Sequence, residues 1–269
     1  MSKQTMRFCK MHGLGNDFIV IEDRSNTITG PNNFPIQRLA DRHIGIGFDQ
    51  LLVIQASSRA DFFCRIFNAD GSEAEQCGNG LRCVARYVHE TGLHPTSQLT
   101  IETKAGLFPI VIPDYEHIQV TLGVPIIENN SLSLSVAPQE TPLALSILSM
   151  GNPHAILKID SIESIEPSTL GPQIASHHYF PQGINVGFME IIDQEQIRLR
   201  TFERGVGETF ACGSNACAAV AAGIANGWLN QQVSVHFRYG SLTIKWAGPN
   251  HALIMTGPAD TIFNGEILL

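Results

Sequence analysis

FNADGSEAEQCGNGLRC (residues 67–83) and FERGVGETFACGSNACA (residues 202–218) are one pattern written twice. An offset of 135 residues lays Phe67 on Phe202, Glu73 on Glu208, Cys77 on Cys212 and Gly78 on Gly213. An offset of 136 lays Gly15-Asn16 on Gly151-Asn152. Each half of the 269-residue chain therefore runs Gly-Asn, about sixty further residues, then Glu-x-x-x-Cys-Gly. Such a repeat predicts duplicated domains related by a pseudo-two-fold axis, with the two cysteines facing one site from opposite sides. That geometry suits a reaction with mirror-image halves, in which a proton leaves one face of a carbon and another arrives on the opposite face.

Composition narrows the classes. With 43% hydrophobic residues the chain has material for two cores, and its length suits two medium domains. A net charge of −8 argues against nucleic acid, which asks for a basic face. No apolar run approaches the roughly 18 residues of a membrane span. The opening MSKQTMRFCKMHG has no apolar signal core, so a cytoplasmic location is expected. The six cysteines, at 9, 64, 77, 83, 212 and 217, are too few for a disulfide scaffold of this size and are expected as thiols. A zinc site is not expected. Cys77-x5-Cys83 and Cys212-x4-Cys217 are spaced more widely than the usual knuckle and lie along expected helices.

Strand-like runs bounded by Gly, Asn, Asp and Pro dominate. They occur at 18–21, 51–54, 62–67, 107–112 and 118–122, and again at 155–159, 185–192, 197–202, 233–237, 242–246 and 252–256. Two segments read as helix. In 79–91, Leu81, Val84, Ala85 and Val88 fall at helical spacing, and Gly92 is a stop. Residues 214–226 are apolar on nearly every face, which marks a buried helix. The expectation is an α/β (α+β) fold with a curved sheet wrapped on a central helix in each half. The domains are read as 1–122, with the tail 257–269 returning to it, and 123–256.

A cysteine just before a helix start feels the positive end of the helix dipole and the first unpaired N–H groups, which favour thiolate. The same groups bind anions. Gly78 and Gly213 leave the backbone open to a ligand. Two such helix ends would cradle one carboxylate while the cysteines flank its α-carbon, and the N–H groups would stabilise the carbanion charge. Cys9, Cys64, Cys83 and Cys217 read instead as small buried hydrophobes. Asn16, Asn68, Asn79, Asn152 and Asn185 are each a turn residue by default. Together they are neutral amides suited to a zwitterion. Glu203-Arg204 sits in the repeat just before Cys212, where Arg204 is placed to take a second carboxylate. His154 reads as a structural histidine or as an acid or base beside a cysteine.

With these residues in view, the chain resembles the diaminopimelate epimerase family of cofactor-independent amino-acid epimerases. The matching motifs are HGLGNDF (12–18), GIGFDQ (45–50), NADGSEAEQCGNGLRC (68–83), GNPH (151–154), NV (185–186), FERGVGETFACGS (202–214) and MTGPA (255–259). The resemblance implies two pseudo-symmetric domains, each a β-barrel-like sheet around a central helix, with the active site in the cleft between them. It implies a homodimer, no cofactor, and interconversion of LL- and meso-diaminopimelate for lysine and peptidoglycan synthesis. Carried over by motif, Cys77 and Cys212 are the acid/base pair. Gly78, Asn79, Gly213 and Ser214 form the carboxylate cradle. Asn16, Gln50, Asn68, Asn152, Asn185, Glu203 and Arg204 are the other substrate contacts, and His154 and Glu203 modulate the cysteines.

Two departures bear on specificity. The family usually has glycine where this chain has Asn215, a side chain that would narrow the cradle or add a donor. Phe237-Arg238-Tyr239-Gly240 replaces a Leu-Pro-Gly-Gly-like loop. The nearest rival is a two-thiol racemase of a proline derivative or an acidic amino acid; Glu203-Arg204 and the asparagines favour an acyclic substrate with a second charged end. A pyridoxal-phosphate enzyme needs a Schiff-base lysine, and Lys3, Lys10, Lys104, Lys158 and Lys245 have no phosphate-cradle context. A non-catalytic amino-acid-binding or redox-sensing module is the remaining alternative; a sensor usually keeps a resolving cysteine close in the chain.

Overall fold

A computed structural model describes residues 5–136 and 141–268. The opening residues 1–4, the stretch 137–140 and the last residue of the expected tail lie outside the described residues. The chain divides into two compact units, Met1–Val120 with Gly257–Leu269, and Thr121–Thr256.

The first unit holds β1 (Thr5–Gly13), β2 (Asn16–Glu22), α1 (Ile36–Ala40), β3 (Gln50–Gln55), β4 (Phe62–Asn68), β5 (Glu73–Ala74), α2 (Gly78–Glu90), β6 (Gln98–Thr103), β7 (Gly106–Val111) and β8 (Ile118–Thr121). The second holds β9 (Ile126–Leu134), β10 (Leu143–Ser149), β11 (Pro153–Ile159), α3 (Pro167–Ala175), β12 (Asn185–Asp193), β13 (Gln196–Glu203), β14 (Gly207–Thr209), α4 (Gly213–Ala225), β15 (Gln232–Phe237), β16 (Gly240–Lys245) and β17 (Ile254–Gly257). The last strand, β18 (Asp260–Leu268), pairs antiparallel with β1.

The two units repeat one topology. In the first, β1 pairs with β2, β2 runs parallel to β3, β3 pairs with β4, β4 runs parallel to β6, and β7 and β8 complete the order. In the second, β10, β11, β12, β13, β15, β16 and β17 follow with the same sense at every step, and β9 pairs with β10 as β18 pairs with β1. Each parallel step needs a crossover. In each unit one crossover carries the cysteine and its helix, α2 after β4 and α4 after β13.

Alternation along the strands explains the layering. Ile19, Ile21, Leu51, Val53 and Phe67 point into a core closed by Ile36, Leu39 and Ala40 of α1. Leu52, one residue out of step, points the other way, against Gly80 of α2. These strands are covered on both faces, which is why Leu51 to Ile54 reads as one unbroken apolar run. In the second unit Leu145, Ile147, Ala155, Leu157, Val186 and Phe188 pack with Ile174 and Ala175 of α3, and α4 packs against β9 to β13, β15 and β16. Residues Ala216, Ala218, Ala219, Ala221 and Ala222 of α4 are buried. Alanine has no side-chain entropy to lose there.

The two expected helices are found one residue earlier, at 78–90 and 213–225. The helices α1 and α3 were not expected from the sequence. The first is barely one turn long, and the second carries Pro172 inside it and shows only a weak apolar stripe. Strands β1, β5, β6, β9, β10, β14 and β18 were also not expected. In β1 the apolar positions are filled by Met and Cys interleaved with Lys10, whose charge is buried.

Helix α3 bears directly on β13, the strand that delivers Glu203. At Gly171 an added Cβ would stand 2.4 Å from Cγ of Phe202. Alanine favours helix over glycine by about 1 kcal/mol, but the atoms it meets include Phe202 Cβ, also within 2.7 Å, at the fixed end of that side chain, so the clash wins. Gly171→Ala is expected to destabilise the protein by about 1–3 kcal/mol. The urea midpoint should fall with an unchanged slope, and a variant as stable as wild type would show that Phe202 can move.

Candidate active site

In the first unit Cys77 is the N-cap of α2, in extended conformation (φ −149°, ψ 107°). A helix start leaves its first N–H groups without partners, and Gly80 N–H turns its bond onto Cys77 Sγ at 3.4 Å. On its other side the sulfur lies 4.0 Å from Asn16 Oδ1, which also accepts from Asn79 Nδ2 at 3.3 Å. The fully buried Arg82 donates to Asn79 Oδ1 (3.1 Å) and to Pro258 O (3.0 Å), fixing that amide from behind. Gln50 Nε2 donates to Asn68 Oδ1 at 2.8 Å, and Gln50 Oε1 is buried with no hydrogen-bond partner.

Asn16 is positioned by charges that the sequence reading did not single out. Gly15 makes the turn between β1 and β2 at φ 87°, where a side chain would be strained. Asn16 Nδ2 then donates to Asp49 Oδ2 at 2.9 Å, which leaves Oδ1 facing Cys77. Arg42 grips Asp17 through both terminal nitrogens (2.9 and 2.7 Å) and reaches Asp49 at 2.9 Å, while Lys10 bonds Asp17 from inside. Burial alone would raise the Asp17 pKa, but the bonds from Arg42 and Lys10 outweigh it and hold the carboxyl at about 2. The signal lay in the motifs themselves, since Asp17 follows Asn16 and Asp49 precedes Gln50.

In the second unit Cys212 is the N-cap of α4 (φ −127°, ψ 114°). Gly151, at φ 92°, makes the matching turn before Asn152. The backbone N–H of Arg204 donates to Asn185 Oδ1 (2.9 Å), and Asn185 Nδ2 donates to Pro153 O (3.1 Å), so Asn185 ties the GNPH segment to the FERG segment. Arg204 is exposed, with its stem across Gly183 and Nη1 on Gln182 O at 2.9 Å. Ser214 Oγ lies 3.4 Å from Cys212 Sγ.

The expected thiolate at Cys212 is not what the structure holds. Burial pushes the Cys212 thiol well above its ordinary value, and the Glu203 carboxylate beside it adds to the rise. The Ser214 hydroxyl and Asn215 N–H pull the other way but do not prevail. A helix terminus contributes about 0.3–2 kcal/mol, less than the cost of stranding a second negative charge in a dry site. Cys212 is therefore a thiol that hydrogen-bonds a carboxylate. His154 is likewise not an acid: burial takes its pKa down to about 3, so the ring is neutral, with Nε2 3.0 Å from Asn152 Oδ1. Nor does Asn215 narrow the cradle. Its side chain turns inward, is fully buried and donates to Val186 O at 3.0 Å.

The remaining cysteines behave as packing residues. Cys64 and Cys83 are buried and their thiols are pushed up by that burial. Among the described residues no group of three or more His, Cys, Asp or Glu side chains converges as a metal site, and no helix is long and apolar enough to cross a membrane. The departing loop at 237–240 packs on the approach to Cys212. The Tyr239 and Phe210 rings meet edge to face at 4.9 Å, with the Arg238 guanidinium against both.

A family model described as diaminopimelate epimerase matches residues 8–127 and 146–262. A diaminopimelate epimerase of Teredinibacter turnerae is 45% identical over 98% of this chain and 99% of its own length. One of Nitrosospira multiformis is 46% identical over the same shares. Among solved structures, a phenazine biosynthesis protein of the PhzF family from Bacillus anthracis superposes with a TM-score of 0.78 at 18% identity, covering 99% of this chain and 100% of its own. A hydroxyproline epimerase from Agrobacterium vitis gives 0.77 at 17% identity, covering 100% and 94%. At these identities the structural likeness concerns the fold.

The neutral state of His154 has a consequence for stability. Below its unfolded pKa of about 6.5 the unfolded chain takes up a proton that the folded ring refuses, so stability is lost as pH falls from there toward 3. This group alone contributes a slope of up to about 1.4 kcal/mol per pH unit in that window. His154→Gln is expected to be less stable at pH 7.5 yet to lose less on acidification. Equal slopes for the two proteins in urea titrations between pH 6 and 4 would show that His154 is already charged in the fold.

Proposed function

The chain belongs to the diaminopimelate epimerase family, and we propose that it interconverts LL- and meso-diaminopimelate with Cys77 and Cys212 as its acid/base pair. The observation that carries this reading is the same device built once in each unit, a cysteine as N-cap of a helix that opens with glycine. Inverting a carbon requires one base and one acid on opposite faces, and the repeat supplies one thiol for each. One thiolate takes the α-proton and becomes a thiol. The other thiol delivers its proton to the opposite face and becomes a thiolate. The electron pair left on the α-carbon spreads into the adjoining carboxylate, where N–H groups of the helix starts at Gly78–Asn79 and Gly213–Ser214 stabilise it. The next turnover runs in reverse with no net change in the protein.

The two half-sites are not chemically equal. Glu203 stands where the first unit has Asn68, so Cys212 has a carboxylate to take its proton and Cys77 has amides. When Cys212 serves as the base, Glu203 is the group that must relieve it of the thiol proton. The exposed guanidinium of Arg204 is the anchor for the distal carboxylate. The reading includes a small amino-acid substrate, no added cofactor, and the family's usual homodimer in the cytoplasm.

The decisive measurement is α-proton exchange in heavy water, run against a panel of amino acids with purified protein and no additions. Diaminopimelate should exchange and epimerise. Cys77→Ala and Cys212→Ala should each abolish epimerisation, by at least about 10³-fold given one missing proton carrier; near-native turnover in either would rule out the two-thiol scheme.

Arg204→Lys tests the anchor separately. Lysine keeps the charge but not the two-pronged bond to a carboxylate. Remote binding energy aligns the reacting carbon, so kcat for diaminopimelate should fall and KM rise, while slow exchange on a monocarboxylic amino acid should change little. Native kinetics on diaminopimelate would move the distal anchor elsewhere.

A further inference from the structure

Asn215 occupies the position in α4 that Gly80 occupies in α2, 135 residues earlier. The strand residues facing them exchange size in the opposite sense. Leu52 lies against Gly80, whereas its counterpart Gly187 lies against Asn215. A Cβ at Gly187 would stand 2.5 Å from Asn215 Oδ1 and 2.7 Å from Ile156 Cδ1. The second unit has thus given up a strand side chain to admit a buried amide behind the cysteine helix.

That amide lies on the face of the sheet that carries His154. In β11, His154 lies on the same face as Ile156 and is in register with Asn185 of β12. Asn215 Nδ2 donates to Val186 O, so Oδ1 is directed away from it, and Asn215 is the group that a proton on the His154 ring would bond. Both His154 Nδ1 and Asn215 Oδ1 are buried without a hydrogen-bond partner. With Nε2–H donating to Asn152 Oδ1, the bare Nδ1 lone pair would be set against a second acceptor, an arrangement that costs about 1–3 kcal/mol per buried group. Charging the ring would solve this, but burial forbids the charge. Rotating the Asn215 amide would turn its oxygen onto Val186 O. Rotating the Asn152 amide breaks no other side-chain bond, since the bond to His154 is the one Asn152 makes among the described residues.

We infer that Asn215 is a positioning residue that fixes His154 as its Nδ1–H tautomer and thereby turns the Asn152 amide so that its NH2 donates to His154 Nε2 and its oxygen faces outward. Every buried member of the chain Asn152, His154, Asn215, Val186 O then has a donor matched to an acceptor. Asn152 presents an acceptor to the site, a partner for a substrate N–H or ammonium. This consequence rests on the proposed epimerase reading; the tautomer does not.

Histidine labelled with ¹⁵N shows directly which ring nitrogen carries the proton, and His154→Gln identifies the signal. Wild type near pH 7.5 should show His154 protonated at Nδ1. Asn215→Leu keeps the number and branching of side-chain heavy atoms and removes both amide groups, so the proton should move to Nε2, whereas Asn215→Asp retains the acceptor and should keep it at Nδ1. With the tautomer reversed, Asn152 offers NH2 to the substrate in place of oxygen. KM for diaminopimelate should then rise about tenfold, the loss of one hydrogen bond of roughly 1.4 kcal/mol, and kcat should change much less. A proton on Nε2 in wild type, or on Nδ1 in a folded Asn215→Leu, would overturn the inference whatever the activity. Inactivity of wild type on diaminopimelate with the proton on Nδ1 would instead remove the epimerase reading and leave Asn215 as the determinant of the ring.

Discussion

A helix buried against a sheet starts with N–H groups that no turn before it can satisfy, and in each unit of this protein the residue at that cap position is a cysteine. Cys77 and Cys212 are N-caps in extended conformation, followed by a glycine that keeps the backbone open. Sulfur is a weak, long acceptor, and at Cys77 it takes the Gly80 N–H at 3.4 Å. A serine or aspartate would cap the helix more firmly and would close the same N–H groups to a ligand. The cap that is poor for stability is the one that leaves chemistry possible, and the packing of α2 and α4 against their sheets holds the helices in place instead.

Around that shared device the two units diverge by charge. In the first, the sulfur sees the amide oxygen of Asn16, and Asn16 is set by a carboxylate one step removed, Asp49, itself held with Asp17 by Arg42 and Lys10. In the second, the carboxylate of Glu203 stands beside the sulfur, and His154 is neutral. A duplicated scaffold therefore carries two electrostatic environments. A thiol against a carboxylate and a thiol against amides have different costs of ionisation.

Much of this arrangement was legible in the chain. The repeat located both cysteines, and periodicity located α2 and α4 to within one residue, because a buried or amphipathic helix of thirteen residues imposes its spacing on many positions at once. The strands found include ones covered on both faces, such as β3 and β12, and alternating ones, such as β7 and β13. Those missed include edge or interleaved strands such as β1 and β9, where polar residues break the pattern. The helix α3 went unread because Pro172 argues against helix locally, and packing on Phe202 and the Ile174 core overrides it.

The amino-acid sequence by itself determined the repeated topology and the family, and it put a cysteine at the start of a helix in each half, since these are properties of pattern and spacing. What only the tertiary structure decided is the protonation and direction of each group. The helix start predicted a thiolate at Cys212, but burial pushes that thiol up, and Glu203, nine residues away in the chain, comes close and adds to the rise. An asparagine in place of glycine promised a narrower cradle, but Gly187, on a different strand, takes that side chain into the interior. Charge state and orientation depend on what is close in space and on how much water is left, and neither is written in the order of the residues.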